Sequence, residues 1–157
     1  MKDIIDRLDE NLCYLDHEIN DGIINVLVCS RRSDVQCPYC GTLSFRIHST
    51  YERCFQDLPI QGHKVYINIA NRKYFCDNPN CPKKTFAESF DCLKPKAKKS
   101  NRLIDAIIKL SVEVSSVTAS KLLKADVVNV SKSTICDILK KNNKSIGQGK
   151  NRENMHR

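Results

Sequence analysis

The sequence predicts an α+β protein: a small β-rich zinc ribbon with four cysteines, preceded by a β segment and followed by a three-helix unit. Three observations predict this class. Two short-spaced cysteine pairs lie near residues 37 and 76. Between them, Val65, Ile67 and Ile69 alternate with polar residues, as in a half-buried strand. After residue 101, apolar residues recur at the spacing of amphipathic helices.

The cysteine pairs predict a metal site. The first pair is C-x2-C within Cys37-Pro38-Tyr39-Cys40-Gly41, and the second is C-x4-C within Cys76-Asp77-Asn78-Pro79-Asn80-Cys81. Two tight turns that each carry two thiolates suit a tetrahedral zinc ion. We therefore expect one structural Zn²⁺ held by four ligands: Cys37, Cys40, Cys76 and Cys81. Four thiolates leave no open position, which disfavours a catalytic zinc.

Composition indicates a globular chain of 157 residues, 41% hydrophobic and 28% charged. Its apolar runs are far shorter than a membrane span, and no signal peptide is recognisable. We expect a soluble, cytoplasmic protein without membrane contact. Nine cysteines could suggest a disulfide scaffold, but in a reducing compartment the paired ones indicate a metal. The unpaired ones are expected to be small buried hydrophobes: Cys13, Cys29, Cys54, Cys92 and Cys136.

Charge is unevenly distributed along the chain. Residues 1–36 hold 4 basic and 8 acidic residues (net −4), residues 37–92 hold 7 and 5 (net +2), and residues 93–157 hold 15 and 5 (net +10), which gives the total of +8. A strongly basic second part points to a polyanionic partner such as DNA. Ordinary solvated lysines are the alternative, so the motifs must decide.

The first two predicted segments contain the strands. Residues 1–36 combine a short amphipathic helix with strands at residues 12–17 and 23–29, joined at Asp21-Gly22. Residues 37–92 form the zinc-ribbon domain, in which Gln61-Gly62 is a further turn signal. So small a β module has little core of its own. Zinc binding would therefore contribute folding energy, about 10 kcal/mol or more.

Residues 93–101 are predicted to be a basic linker without packed structure. Lys96, Lys98 and Lys99 either grip phosphates or form a solvated hinge, and both interpretations remain open. Residues 102–141 are predicted to be a helix-turn-helix DNA-binding domain. Asn101, then Ser115 or Ser116, and then Ser131 are the predicted N-caps of its three helices. A helical packing module is the alternative. Residues 142–157 are predicted to be a disordered basic tail.

The third helix supplies candidate DNA contacts. Lys132 and Ser133 hold the N-terminal positions that reach base edges in such helices, with Thr134 beside them. Asp137 either accepts from a cytosine amine or pairs with Lys141 four residues later. Phosphate contacts are expected from Lys140 and Lys141. In the ribbon, a second contact is predicted from Arg53, Arg72 and Lys73; the alternative is a ribbon that only packs against its neighbours.

Residues 37–88 resemble the N-terminal zinc finger of insertion-sequence transposases of the ISL type, the ISL-three group of bacterial DDE transposases. Besides the cysteine pairs, the likeness rests on an ordered series of short motifs: His48-Ser49-Thr50-Tyr51-Glu52-Arg53, Asp57-Leu58-Pro59, Arg72-Lys73-Tyr74-Phe75-Cys76 and Thr85-Phe86-Ala87-Glu88. Residues 102–141 are more loosely similar to the helix-turn-helix that follows in that family.

The resemblance implies a bacterial, nucleoid-associated protein with a DNA partner and without the catalytic domain of that family. The partner is double-stranded DNA, in particular the inverted repeats at transposon ends. In that family an Asp-Asp-Glu catalytic domain follows, for which this chain has no room, so we expect a DNA-binding transposase fragment that is not an enzyme. It would act as a homodimer or with a full-length transposase. The alternatives are a stand-alone transcription regulator and a zinc-ribbon protein-interaction module.

Overall fold

The structure, a computed structural model, describes residues 1–153, apart from the side chains of residue 126 and of residues 143–153. The chain divides into two compact units, Met1–Asn101 and Arg102–Arg157. Strands dominate the first unit, and helices make up the described part of the second. The predicted mixture of strands followed by helices is therefore present.

The first unit begins with α1 (Lys2–Leu8) and an antiparallel hairpin of β1 (Leu12–Asn20) and β2 (Ile23–Ser30). Asp21 and Gly22 connect the two strands with φ of 48° and 74°. Positive φ at both central residues is the type I′ geometry that matches strand twist, and it explains the glycine. The predicted turn and both predicted strands are confirmed, with each strand longer than expected.

A second hairpin consists of β5 (Ile47–Ile60) and β6 (His63–Phe75), paired antiparallel. Gln61 and Gly62 form its turn, with φ of 50° and 78°. The alternation of Val65, Ile67 and Ile69 predicted the centre of β6. Strand β5 was not predicted, because Tyr51-Glu52-Arg53-Cys54 shows no clean alternation.

One sheet joins the two hairpins. Strand β2 pairs parallel with β6, which gives the order β1-β2-β6-β5, and β7 (Thr85–Ala87) pairs with the end of β6. The predicted separation of residues 1–36 from residues 37–92 is therefore wrong. The reason is that both hairpins contribute to one buried cluster, whose members include Ile24, Val26, Val28, Phe55, Val65, Ile67 and Ile69. Each such side chain contributes about 1.5–3 kcal/mol on burial.

Two short strands lie outside this sheet, β3 (Val35–Gln36) and β4 (Leu43–Ser44), and they pair with each other. They flank the first cysteine pair. A second buried cluster lies here, separate from the core of the large sheet: Val35, Cys37, Tyr74, Cys76, Cys81 and Phe86. The metal-site end of the unit therefore has its own small core.

Residues 93–101 are packed, so their prediction as an unpacked linker is wrong. Leu93 is 3% exposed and belongs to the main core. The Gln56 amide donates to the Lys98 carbonyl at 3.0 Å, and the Ser100 amide donates to the Gln56 carbonyl at 2.9 Å. The Ser100 hydroxyl also donates to Asp57 Oδ1 at 2.6 Å. These partners lie about 40 residues earlier, which no local pattern reveals.

The helices are α2 (Asn101–Glu113), α3 (Ser116–Asp126) and α4 (Lys132–Glu153). Asn101 was predicted as a cap but is the first residue of α2, and its carboxamide donates to the Asp91 carbonyl at 2.7 Å. The Thr118 amide donates to Ser115 Oγ and the Thr134 amide to Ser131 Oγ, both at 3.2 Å. Ser115 and Ser131 are therefore the N-caps of α3 and α4.

Helix α4 extends to Glu153 and so covers most of residues 142–157, which were predicted to be a disordered tail. This stretch lacks apolar periodicity, but it contains no proline to stop the helix. The rest of the predicted tail, residues 154–157, lies outside the described residues. Among the helices that are described, none combines the length and apolarity required to cross a bilayer.

Candidate metal centre and nucleic-acid surface

The first cysteine pair lies in a tight turn. The Gly41 amide donates to the Cys37 carbonyl at 2.8 Å, and the Cys37 amide donates to the Thr42 carbonyl at 2.9 Å. Gly41 has a φ of 73°, in the left-handed region that a residue with a Cβ rarely adopts. The glycine thus lets the chain reverse directly after Cys40, so that both thiols of the pair face the same side.

The second pair is held between β6 and β7. The Cys76 amide donates to the Lys84 carbonyl at 2.8 Å, and the Cys81 amide donates to the Asn78 carbonyl at 3.1 Å. The Asn80 amide donates to Asn78 Oδ1 at 2.9 Å, which is an Asx turn. The asparagine therefore shapes the loop that carries Cys81 back towards Cys76.

These two turns bring the four predicted ligands together. The sulfur of Cys37 is 3.9 Å from that of Cys81, and the sulfur of Cys40 is 3.5 Å from that of Cys76. All four sulfurs lie within 4.8 Å of one another. Zinc–sulfur bonds of about 2.3 Å in a tetrahedron require sulfurs about 3.8 Å apart. A disulfide would need about 2.05 Å, so the spacing fits a metal and not a disulfide.

The surroundings of the thiols differ. Hydrogen bonds to the side chain and backbone of Thr42 lower the pKa of Cys40 to about 6. Burial among its neighbours raises the pKa of Cys76 to about 12. Because zinc binds the thiolate, loading the site displaces the protons that the buried thiols otherwise keep. Aromatic packing supports this end of the unit, where the Tyr74 and Phe86 rings stack with centroids 6.1 Å apart.

The remaining cysteines do not share one environment. Cys92 is buried, whereas Cys13, Cys29 and Cys136 are half-buried. Cys54 is exposed, so its prediction as a buried hydrophobe is wrong. It lies on β5, the strand that the sequence did not predict. In the part of the chain that the structure describes, the metal-ligand geometry is confined to the two pairs.

Both predicted DNA-contacting arginines are engaged inside the first unit. Arg72 Nε donates to Glu88 Oε2 at 3.1 Å, and Arg72 Nη2 donates to the Arg32 carbonyl at 2.8 Å. Arg53 Nη2 donates to the carbonyls of Lys94 and Ala97 at 2.7 and 3.3 Å. These hydrogen bonds hold both guanidinium groups against the first unit. Nothing near Arg53 or Arg72 in the sequence indicates these partners.

The predicted lysines of the first unit are accessible. Lys73 is exposed on β6, Lys96 and Lys98 are exposed, and Lys99 is half-buried. Lys94, which was not among the predicted contact residues, is exposed in the same segment. Because Arg53 donates to the carbonyls of Lys94 and Ala97, it holds the backbone of this basic segment.

The predicted contacts of the second unit lie in the first three turns of α4. Exposed side chains on these turns are Lys132, Ser133, Asp137, Lys140 and Lys141, and Thr134 is half-buried. Ser133 and Thr134 also hydrogen-bond the capping hydroxyl of Ser131, at 2.8 and 3.0 Å. Ile135 is fully buried on the opposite side of the helix. The start of α4 thus presents polar and basic groups to solvent.

Comparison with known proteins supports the identity of the metal-binding segment. A family model described as the zinc-finger of transposase IS204/IS1001/IS1096/IS1165 matches residues 33–81. No curated protein and no solved structure matches the chain significantly. The matched span contains all four cysteines, and its family is that of zinc ribbons. The four cysteines are therefore the site of one structural zinc ion.

Proposed function

We propose that this chain is the DNA-binding part of an insertion-sequence transposase of the ISL3 type and that it recognises double-stranded DNA at transposon ends. One observation carries the proposal: the four clustered thiols lie within the segment that matches the zinc finger of such transposases. Zinc here acts as a scaffold. It fixes the turns around the cysteine pairs, and through them one end of the long β6 strand.

The second unit supports DNA recognition through a helix-turn-helix. Helices α3 and α4 pack together and are linked by residues 127–131. The Ser120 hydroxyl on α3 donates to the Val130 carbonyl of this connection at 2.7 Å, and Val128 is fully buried. A buried, hydrogen-bonded turn fixes the angle between two helices, which a groove-reading helix requires. We assign α4 as the recognition helix, with Lys132 nearest the bases.

Charge supports a polyanionic partner, above all for the second unit. Residues 1–101 hold 15 basic and 13 acidic residues, a net charge of +2, whereas residues 102–157 hold 11 and 5, a net charge of +6. Most of the total of +8 therefore lies with the helices. Counterion release on neutralising phosphates would supply sequence-independent affinity, to which base contacts add discrimination.

We propose binding without strand cleavage by this chain. The metal centre uses four thiolates, so the zinc offers no open position for water or a phosphate oxygen. Two-metal phosphoryl transfer relies on oxygen ligands, in contrast to this site. A nicking assay with supercoiled plasmid and Mg²⁺ or Mn²⁺ tests the point. Intact plasmid is the expected result, and reproducible nicking that follows the protein through purification would contradict it.

Footprinting tests the DNA target. Zinc-loaded protein is titrated onto fragments that carry the inverted repeats of ISL3-type elements, with promoter fragments and shuffled sequence as controls. Protection of the inverted repeats at the lowest protein concentration is expected. Protection of promoter DNA alone would instead identify a transcription regulator built from the same parts. Equal protection of all fragments would overturn specific recognition.

A protein-interaction role is a second candidate, because the ribbon exposes large apolar side chains. Phe45 is 65% exposed, Tyr39 56% and Ile47 49%, all close to the cysteine turns in sequence. Exposed apolar groups of this size are typical of contact surfaces. We propose that these exposed side chains mediate self-association or contact with a full-length transposase. Sedimentation equilibrium of the wild type and of Phe45→Ser tests it, with self-association weakened by the substitution as the expected result.

A further inference from the structure

The basic segment of residues 94–99, here called the lysine turn, is a defined structure on the first unit. We infer that the lysine turn is a preformed phosphate-binding element that grips the backbone of double-stranded DNA, and that Arg53 positions it. This inference rests on the proposed DNA-binding function and deepens it. It assigns the first unit a direct share of DNA binding, separate from that of the helices.

A hydrogen bond closes the turn. The Ala97 amide donates to the Lys94 carbonyl at 3.1 Å, which joins the first and fourth residues of a four-residue reversal. Pro95 occupies the second position and Lys96 the third, with a φ of 59°. Proline followed by a residue of positive φ is the type II turn. The segment is therefore pre-shaped.

Lys96 stands where glycine is favoured. Its Cβ makes the left-handed region unfavourable, and glycine adopts that region without strain. A lysine in this position costs conformational energy that a glycine would not. The turn places an exposed ammonium-bearing side chain at its tip.

The turn is anchored to β5 from two sides. Arg53 Nη2 donates to the Lys94 carbonyl at 2.7 Å and to the Ala97 carbonyl at 3.3 Å, so one guanidinium nitrogen joins both ends of the reversal. Beyond it, Gln56 on β5 pairs its backbone with residues 98–100. Arg53 is therefore a positioning residue: its Nη2 donates to backbone carbonyls inside the protein, and its effect on DNA acts through the lysines.

The chemistry of the exposed face suits phosphates. Lys94, Lys96 and Lys98 are exposed, and within the described residues none of them forms an ion pair with a carboxylate. Ammonium groups bind phosphate as point charges, without sequence preference. Because the backbone is ordered before binding, less conformational entropy is lost when DNA is engaged than for a flexible arm.

The experiment measures the salt dependence of DNA affinity. Fluorescence anisotropy follows zinc-loaded protein binding to a short duplex between about 50 and 200 mM KCl, where each neutralised phosphate contributes about 0.9 to the slope of log K against log salt. The triple variant Lys94→Ala, Lys96→Gly, Lys98→Ala should lower the magnitude of this slope by about 2.7. Lys83→Ala, which removes an exposed charge near the metal site, should leave the slope unchanged.

Two single variants separate binding from folding. Lys96→Gly should raise the melting temperature, because the strain is relieved, while it weakens DNA binding and lowers the slope by about 0.9. Arg53→Lys keeps the net charge but loses the second carbonyl contact. If Arg53 positions the turn, this variant should show a smaller slope of log K against log salt than the wild type. If Arg53 contacts phosphate directly, the slope is retained and the positioning role is overturned.

The possible failures can be told apart. Wild-type protein that does not bind the duplex at low salt overturns the proposed function and this inference together. Wild-type binding with an unchanged slope in the triple variant overturns only the lysine turn and leaves DNA binding by the helices intact. Zinc content of one per chain in every variant shows that the metal site has folded.

Discussion

Arg72 Nε donates to Glu88 Oε2 at 3.1 Å, and the Glu88 side chain is completely buried. Arg72 Nη2 donates to Glu88 Oε1 at 3.3 Å, and the Ser30 hydroxyl donates to the same oxygen. Arg72 lies on β6, Glu88 directly follows β7, and Ser30 ends β2. One buried carboxylate therefore ties three parts of the first unit together.

This pair makes a first prediction. Glu88→Ala leaves the Arg72 guanidinium without its buried carboxylate, which should cost about 3–5 kcal/mol in the free energy of unfolding. Asp77→Ala is the matched control, because it breaks the Arg46–Asp77 pair, whose side chains are 61% and 50% exposed. That change should cost under about 1 kcal/mol. Urea unfolding of both variants measures the difference, and equal losses would contradict the assignment.

Zinc removal should loosen one end of the first unit without unfolding its sheet. The metal-site cluster around Tyr74 and Phe86 is separate from the main core around Val26 and Ile67. The site should nonetheless contribute about 10 kcal/mol or more of binding free energy at neutral pH. After chelation, hydrogen exchange should accelerate at Cys76 and stay slow at Ile67.

Cys76→Ser tests the same point by mutation. It should reduce bound zinc from one per chain to near zero, as measured by elemental analysis. The exposed Cys54→Ser is the control and should keep full zinc content. Loss of zinc in the control, or loss of the whole sheet on chelation, would contradict the separation of the two clusters.

The cap of α4 gives a third prediction. Ser131→Ala removes the oxygen that accepts the Thr134 amide, which should cost about 1 kcal/mol of helix stability. Hydrogen exchange at Thr134 and Ile135 should accelerate, and DNA affinity should fall because the start of α4 frays. Ser131→Asn retains an accepting oxygen without adding a charge and should behave like the wild type. An equal effect of both changes would exclude capping as the cause.

Lysines at the two ends of the proposed contact surface of α4 should differ in their effect on DNA. Lys132→Ala should cost about 1–3 kcal/mol on the preferred site and relax sequence preference there. Lys140→Ala should weaken binding to all sequences alike and lower the salt slope by about 0.9. Competition binding with preferred and shuffled duplexes measures both, and identical behaviour would remove α4 as the reading helix.

Cys92 gives a prediction on pH. Burial, with a further effect of Asp9, raises the pKa of its thiol to about 12. Because the folded pKa lies above the unfolded value of 9.0, the unfolded chain loses this proton first. The stabilising contribution is present below pH 9 and is lost as pH rises towards about 12. The free energy of unfolding should therefore fall less over this range in Cys92→Ala than in the wild type.

Local sequence patterns predicted the features that depend on neighbouring residues. The spacing around Cys37 and Cys76 identified the ligands, Asp21-Gly22 identified a turn, and Ser131 identified a helix cap. Each is set by chemistry within a few residues, so a short window contains the whole signal.

Long-range pairings were beyond those patterns. Strands β2 and β6 pair in parallel, and their apolar side chains share one core. The two strands are far apart in sequence, with the first cysteine pair between them, so no short window contains this signal. The anchoring of residues 94–99 depends on Arg53, which looks in sequence like any exposed arginine. Arg72 was predicted to contact DNA for the same reason, since nothing near it in sequence marks Glu88 as its partner.

Equilibrium binding of the zinc-loaded wild-type chain to duplex DNA tests the central claim most directly. Binding is followed by anisotropy as KCl rises from about 50 to 200 mM. We predict measurable affinity at low salt and a linear fall of log K with log salt, of the size expected for several neutralised phosphates. No binding at low salt, or an affinity that salt does not change, would contradict the account.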